Sequence, residues 1–233
     1  MPTQPTPVTV ATADGPMPAH LWLPAGGSGP GLVVLQEIFG VSDYVRSRCA
    51  DLAALGYVVL APELYWRLPQ QRVDESRDDF IEVGAALASQ LDWDTAVADA
   101  TVALEELVER PETDGRVGVL GFCFGGGLAF AVAAGADPAV LVSYYGSALP
   151  QLLGLAPQVT APSLHHFATQ DTYIPPDQVE QIRTAVDRPQ VELRLHEGAG
   201  HAFDNPHPAF HHPAASHRAW AITEDWLAAH LPT

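Results

Sequence analysis

The chain has 233 residues, 47% of them apolar, and a formal charge of -17 at neutral pH. That length suits one α/β domain with a large core, spanning residues 1–233, and no linker long enough to separate a second domain interrupts it. A surface this acidic disfavours nucleic acid and anionic membrane as partners, because both need a basic face.

Other classes fall away on composition. No apolar stretch approaches the ~20 residues of a membrane helix. The start, Met1 to Pro7, has neither a basic segment nor an apolar signal core. A cytoplasmic location is therefore expected. All eleven basic residues are arginine, which removes lysine Schiff-base chemistry and the P-loop lysine. Two cysteines, Cys49 and Cys123, make no disulfide framework. Cys49 sits in a helical pattern and reads as a small core residue. No cofactor is expected, and assembly is expected to stop at a monomer or small homo-oligomer.

Strand-like and helix-like runs alternate, which predicts a mainly parallel, doubly wound sheet with helices on both faces. Val8–Ala11 and His20–Leu23 alternate apolar and polar residues and read as an antiparallel start. Gly31–Leu35 reads as a buried strand, and 43–55 as a helix ended by Gly56. Tyr57–Ala61 is the next strand. A long connection from Pro62 leads to a helical pattern over about 78–91, then an amphipathic helix over 94–108. Val117–Leu120 is a strand, and a helix is expected over 128–134. Val140–Tyr144, Ser163–Phe167 and Val191–Leu195 read as strands, and 176–186 and 213–230 as helices.

Between the Val117 strand and its helix lies Gly121-Phe-Cys-Phe-Gly-Gly126. Gly-x-Cys-x-Gly between strand and helix is the pattern of a nucleophile elbow, with cysteine in the usual serine place. Ligands of doubly wound sheets sit beyond the carboxyl ends of the strands. Cys123, Asp171 and His201 each follow a strand there, in the order nucleophile, acid, histidine. Each alone has a plainer explanation: a packing cysteine, a turn-forming acid, a polar loop residue. As a set they suit a thiolate nucleophile, an imidazole that moves its proton, and a carboxylate that orients the ring.

The N–H of Phe124 heads the elbow helix and is placed to face a developing oxyanion. The second donor is expected from the loop Gln36-Glu-Ile-Phe-Gly40, with the N–H of Ile38 as candidate. Glu37 is an unusual acid for the end of a buried strand. His207, His211, His212 and His217 invite a metal reading, but neighbouring prolines break the helix and no zinc spacing completes them. No metal is expected. His165 and His166 read as hydrogen-bonded core histidines, one of which could line the pocket. Tyr145 and Phe39 are candidate substrate contacts.

Gln36-Glu-Ile-Phe-Gly40, Gly121-Phe-Cys-Phe-Gly-Gly126, Gln170-Asp171 and Gly198-Ala-Gly-His201 resemble the dienelactone hydrolase (carboxymethylenebutenolidase) family. The likeness runs from about Val8 to Leu231. It implies an α/β-hydrolase fold and a Cys-His-Asp triad that opens a lactone ring. It also implies that Glu37 takes the thiol proton of Cys123 when substrate arrives, so that the thiolate is formed only on demand. Family arginines hold a substrate carboxylate. One is expected in the connection after Pro62, where Arg77 is the candidate, with Arg67 and Arg72 as alternatives. The other is missing from His201-Ala-Phe-Asp-Asn205, which carries an extra acid instead. That departure predicts weaker anion binding, by about 1–3 kcal/mol for a lost charge-assisted contact.

The expected function is therefore a cysteine-dependent hydrolase of a lactone or small carboxylic ester. A general carboxylesterase on neutral esters is the alternative. A non-catalytic ligand-binding module of the same fold is the third reading.

Overall fold

In the computed structural model, residues 4–233 are described. Met1–Thr3, which fall in the segment read for a targeting signal, lie outside the described residues. The elements run β1 (Thr6–Thr12), β2 (Gly15–Trp22), β3 (Gly29–Leu35), α1 (Asp43–Ala54), β4 (Val58–Pro62), α2 (Phe80–Ala88), α3 (Trp93–Glu109) and β5 (Thr113–Phe122). They continue with α4 (Phe124–Ala136), β6 (Leu141–Tyr144), β7 (Ser163–Ala168), α5 (Pro176–Ala185), β8 (Val191–His196) and α6 (Pro213–His230). Two short 3-10 helices, Leu149–Gln151 and Leu153–Gln158, join β6 to β7. The sheet has eight strands in the order β1-β2-β4-β3-β5-β6-β7-β8. The chain groups into two compact units, residues 1–118 with Thr233 and residues 119–232, and β5 is shared between them.

In the first unit β1 pairs antiparallel with β2, and β2 antiparallel with β4. β3 and β4 are parallel and buried along almost their whole length. Strands covered on both faces read as unbroken apolar runs, which is why these two were legible. Ser42 caps α1 by accepting from the N–H of Val45, and Asp92 caps α3 by accepting from the N–H of Thr95. Cys49 is a free thiol fully buried in α1, and burial raises its pKa.

In the second unit β5 and β6, β6 and β7, and β7 and β8 all pair in parallel. α4 starts at Phe124, directly after Cys123, four residues before the periodic apolar run. Gly125, Gly126 and Gly127 lie inside this helix despite their poor helix propensity. Packing overrides propensity here. A Cβ on Gly126 would stand 2.9 Å from Ser143 Oγ, Tyr144 O and Gly146 Cα. Glycine therefore lets α4 settle against the end of β6.

The two core histidines differ. His166 is hydrogen-bonded, through Nε2 to Thr223 Oγ1 (3.0 Å) and through Nδ1 to His196 Nε2 (3.0 Å). His165 departs from the expected hydrogen-bonded state. Its ring stacks near Phe167 and meets Phe130 edge-on, and neither nitrogen has a hydrogen-bond partner among the described residues. The reason is position: His165 lies in a strand buried at every residue, amid apolar side chains.

Two outcomes follow from this packing. A Cβ on Gly121 would lie 1.9 Å from Gly125 O, so Gly121→Ala should cost about 4 kcal/mol or more, or prevent folding. Gly135, exposed near the end of α4 with nothing within 4 Å, should tolerate alanine with a gain of about 0.5 kcal/mol. Urea unfolding of both variants checks the pair. His165 has its pKa pushed down to about 4, by burial first and Arg188 second. The unfolded chain takes up this proton near pH 6.5 and the folded chain does not until about 4. Stability is thus lost as pH falls through that window. His165→Leu should remove its share of the loss, giving a flatter plot of melting temperature against pH between 6.5 and 4.

Candidate active site

β5 ends at Phe122, and Cys123 turns the chain into α4 with φ 53° and ψ -115°. A non-glycine residue rarely holds a positive φ, and such strain costs about 1–3 kcal/mol. Backbone bonds hold it in place. The N–H of Cys123 donates to Tyr144 O at 3.0 Å. Its carbonyl accepts from the N–H groups of Gly126 (3.0 Å), Gly127 (3.3 Å) and Ser147 (3.1 Å). Among the described residues, four non-glycine residues have positive φ, and Tyr145 and Ala202 are two of the others. The Tyr145 ring meets the His201 ring edge-on at 5.3 Å, and Ala202 directly follows His201. Strain thus gathers around one histidine.

The loops after β7 and β8 are laced together. Gln170 donates its N–H to Ala199 O (2.9 Å), and Gly198 donates its N–H to Thr169 Oγ1 (2.9 Å). These bonds set Asp171 opposite His201. Asp171 Oδ1 accepts from the N–H groups of Tyr173 (2.8 Å) and Ile174 (3.1 Å). Its Oδ2 lies 2.7 Å from His201 Nδ1, and His201 Nε2 lies 3.0 Å from Cys123 Sγ. The three residues picked out by strand end and chain order therefore stand in one hydrogen-bonded line. An Nδ1–H held by the carboxylate leaves Nε2 facing sulfur.

The electrostatics of His201 are a balance. Burial alone would depress its pKa, but the Cys123 sulfur and the Asp171 carboxylate raise it well above 6.5. A protonated ring is thus favoured when the Cys123 sulfur carries charge.

Two further side chains at the site were not foreseen. Ser147 Oγ lies 3.9 Å from Cys123 Sγ. Tyr173 places its ring 4.8 Å from that of His201, and its side chain is 62% exposed. Position beside Asp171 was a usable signal for Tyr173. Ser147 gave none, because only the turn after β6 brings it to sulfur.

The remaining candidates lie in the first unit. Glu37 follows β3, is 1% exposed and forms a bridge with Gly40. The carbonyl of Ile38 accepts from Tyr65 OH at 3.0 Å. Phe39 is buried, with its ring 5.4 Å from that of Phe80. Arg77 is exposed and engages Asp79 through Nε and Nη2, each at 2.7 Å. Arg72 pairs with Asp43 at 2.9 Å, and Arg67 with Asp14 at 2.8 Å and Asp99 at 3.0 Å. All three candidate arginines are thus engaged by carboxylates. In the second unit Asp204 is buried and accepts from Ser216 Oγ at 2.7 Å, so this extra acid is committed to packing against α6. Asn205 Oδ1 accepts from the N–H of His207. Among the described residues no three histidine, cysteine or acidic side chains group as a metal set. None of the described helices is long and apolar enough to cross a membrane.

The profile of the dienelactone hydrolase family matches residues 17–231. The chain belongs to that family. A carboxymethylenebutenolidase of Pseudomonas sp. (strain P51) is 34% identical over 93% of this chain and 92% of its own. Carboxymethylenebutenolidase 1 of Cupriavidus pinatubonensis is 33% identical, covering 93% of each. Among solved structures, a Klebsiella pneumoniae protein assigned to the dienelactone hydrolases superposes with a TM-score of 0.85 at 27% identity, over 96% of this chain and 98% of its own. The family has the α/β-hydrolase fold, and this member is a hydrolase of ester or lactone bonds.

The His201 balance has a measurable consequence. A pKa raised in the folded chain adds stability that is fully present below about 6.5 and is lost as pH rises through the folded value. The difference in melting temperature between the parent chain and His201→Gln should therefore shift against the parent chain as pH rises above 6.5. A pH-independent difference would mean that the histidine is neutral throughout.

Proposed function

We propose that this hydrolase is cysteine-dependent and opens a lactone or small carboxylic ester through an acyl-enzyme. The observation that carries the reading is the line from Asp171 Oδ2 through His201 to Cys123 Sγ, with contacts of 2.7 and 3.0 Å. Sulfur attacks the carbonyl carbon and the C=O pair moves onto oxygen. The N–H groups of Ile38 and Phe124 are assigned to that oxyanion. As the tetrahedral adduct collapses, Nε2–H of His201 gives its proton to the leaving oxygen. Water then loses a proton to Nε2 as it attacks the thioester, and the acid leaves with Cys123 restored. Asp171 holds the ring and the charge it acquires.

Glu37 is assigned, on the family resemblance, as the group that takes the thiol proton when substrate arrives and returns it to sulfur once the acid has left. A thiolate formed on demand is protected from oxidation between turnovers. The second reading, a carboxylesterase for neutral esters, is favoured by the pairing of Arg67, Arg72 and Arg77 with acids and by Asn205 at the end of the His201 loop. Tyr145 and Phe39 keep their assignment as apolar substrate contacts under either reading.

Cys123→Ala should lower kcat by about a thousandfold or more with little change in fold. Full activity in that variant would remove the cysteine mechanism. Glu37→Gln should lower kcat while leaving the single-turnover release of acyl-enzyme unchanged. A carboxylate-bearing lactone and its neutral methyl ester, assayed side by side, separate the two readings. The neutral ester should have the higher kcat/KM if no arginine is available to the anion.

A further inference from the structure

β8 is one end of the sheet, and β7 is its strand partner. Its residues 191–195 are all at least partly exposed, and Leu195 is 43% exposed, one of few large apolar side chains so placed among the described residues. Edge strands invite pairing with another chain unless proline, bulges or unmatched charge prevent it. The opposite edge, β1, carries Pro7 and three threonines. β8 has no proline, and its two charges, Glu192 and Arg194, have opposite sign two residues apart.

The backbone sets which groups face the open edge. His196 O accepts from the N–H of Thr169, and Gln190 O accepts from the N–H of Ser163, so even-numbered residues turn their polar groups toward β7. Backbone direction alternates along a strand. Val191, Leu193 and Leu195 therefore turn theirs outward.

We propose that two copies of this chain pair through β8, antiparallel and with the two-fold axis at Leu193. In that register Leu193 exchanges N–H and C=O with Leu193 of the copy. The N–H of Leu195 donates to the carbonyl of Val191 across the seam, and the reciprocal bond forms. The N–H of Val191 is already used by Arg188 O, at 3.0 Å, and takes no part. Glu192 falls opposite Arg194 of the copy in the closer, non-hydrogen-bonded pairing, where opposite charges attract best. The intrachain Glu192–Arg194 ion pair becomes part of a four-charge group. On the other face Val191 covers Leu195 of the copy, which removes the exposed apolar side chain from water. Self-complementarity of this kind is what a two-fold interface requires.

The charge of -17 on each copy opposes association. At about 0.15 M salt the screening length is about 8 Å, so charges away from the seam count little. A seam of one strand is small and belongs with weak interfaces. Sedimentation velocity over a concentration series at that salt should show a monomer–dimer equilibrium. Leu193→Pro removes an outward N–H without touching the β7 ladder, and should give monomers that keep ester hydrolysis. Glu192→Arg and Arg194→Glu should each be monomeric alone, through like charges across the seam. An equimolar mixture of the two should restore the dimer, because each reversed charge meets its opposite. That mixing arm does not depend on Leu193→Pro folding. A parent chain that stays monomeric at every concentration overturns the proposal. So does a dimer that survives both charge reversals, which would place the interface on another face.

Discussion

Asp171 Oδ2, the His201 ring and Cys123 Sγ form a single file of hydrogen bonds, held by strand ends and loops of the second unit. The file has little tolerance, because a hydrogen bond weakens steeply with distance and angle. Two kinds of restraint fix it. Backbone bonds clamp the strained turn at Cys123 to the end of β6, and loop-to-loop bonds tie the segment after β7 to that after β8. The strained residues Cys123, Tyr145 and Ala202 each take part in such backbone bonds, as expected when surrounding structure must outweigh local cost.

A polar cluster lies in the same unit. Tyr144 OH bonds Thr223 Oγ1 at 2.6 Å, Thr223 bonds His166, and His166 bonds His196. Burial lowers the pKa of both histidines, that of His196 to about 4 with Arg218 adding to the fall. His201 goes the opposite way, although its side chain is only 10% exposed. The difference lies in the neighbours. His166 faces neutral or cationic groups and His196 feels Arg218 more than the opposing Asp204 carboxylate, whereas His201 is held between a carboxylate and sulfur. One fold thus keeps some imidazoles neutral and favours the charged form of another.

The arginines show how misleading residue type can be without geometry. Any of Arg67, Arg72 and Arg77 could have reached an anion on sequence grounds. Each is engaged by an acid in its own neighbourhood: Asp14 and Asp99 for Arg67, Asp43 for Arg72, Asp79 for Arg77. In a chain with many more acids than bases, such capture is the expected fate of a guanidinium. The extra acid after His201 is likewise committed, to Ser216 in α6.

The order of strands and helices, the elbow at Cys123 and the positions of Asp171 and His201 were legible in the sequence alone. They are written in local terms: buried strands as apolar runs, the elbow as glycines around a cysteine, the acid and histidine as polar residues just past strand ends. The apolar pattern starts α4 too late, because the first turn of that helix is made of glycines whose value lies in how closely they let β6 approach. The lack of a hydrogen-bond partner on His165 among the described residues, the nearness of Ser147 to Cys123 and of Tyr173 to His201, and the commitment of Asp204 to Ser216 were decided only by tertiary structure. Each depends on atoms far apart in the chain, and no local pattern encodes a distance between them.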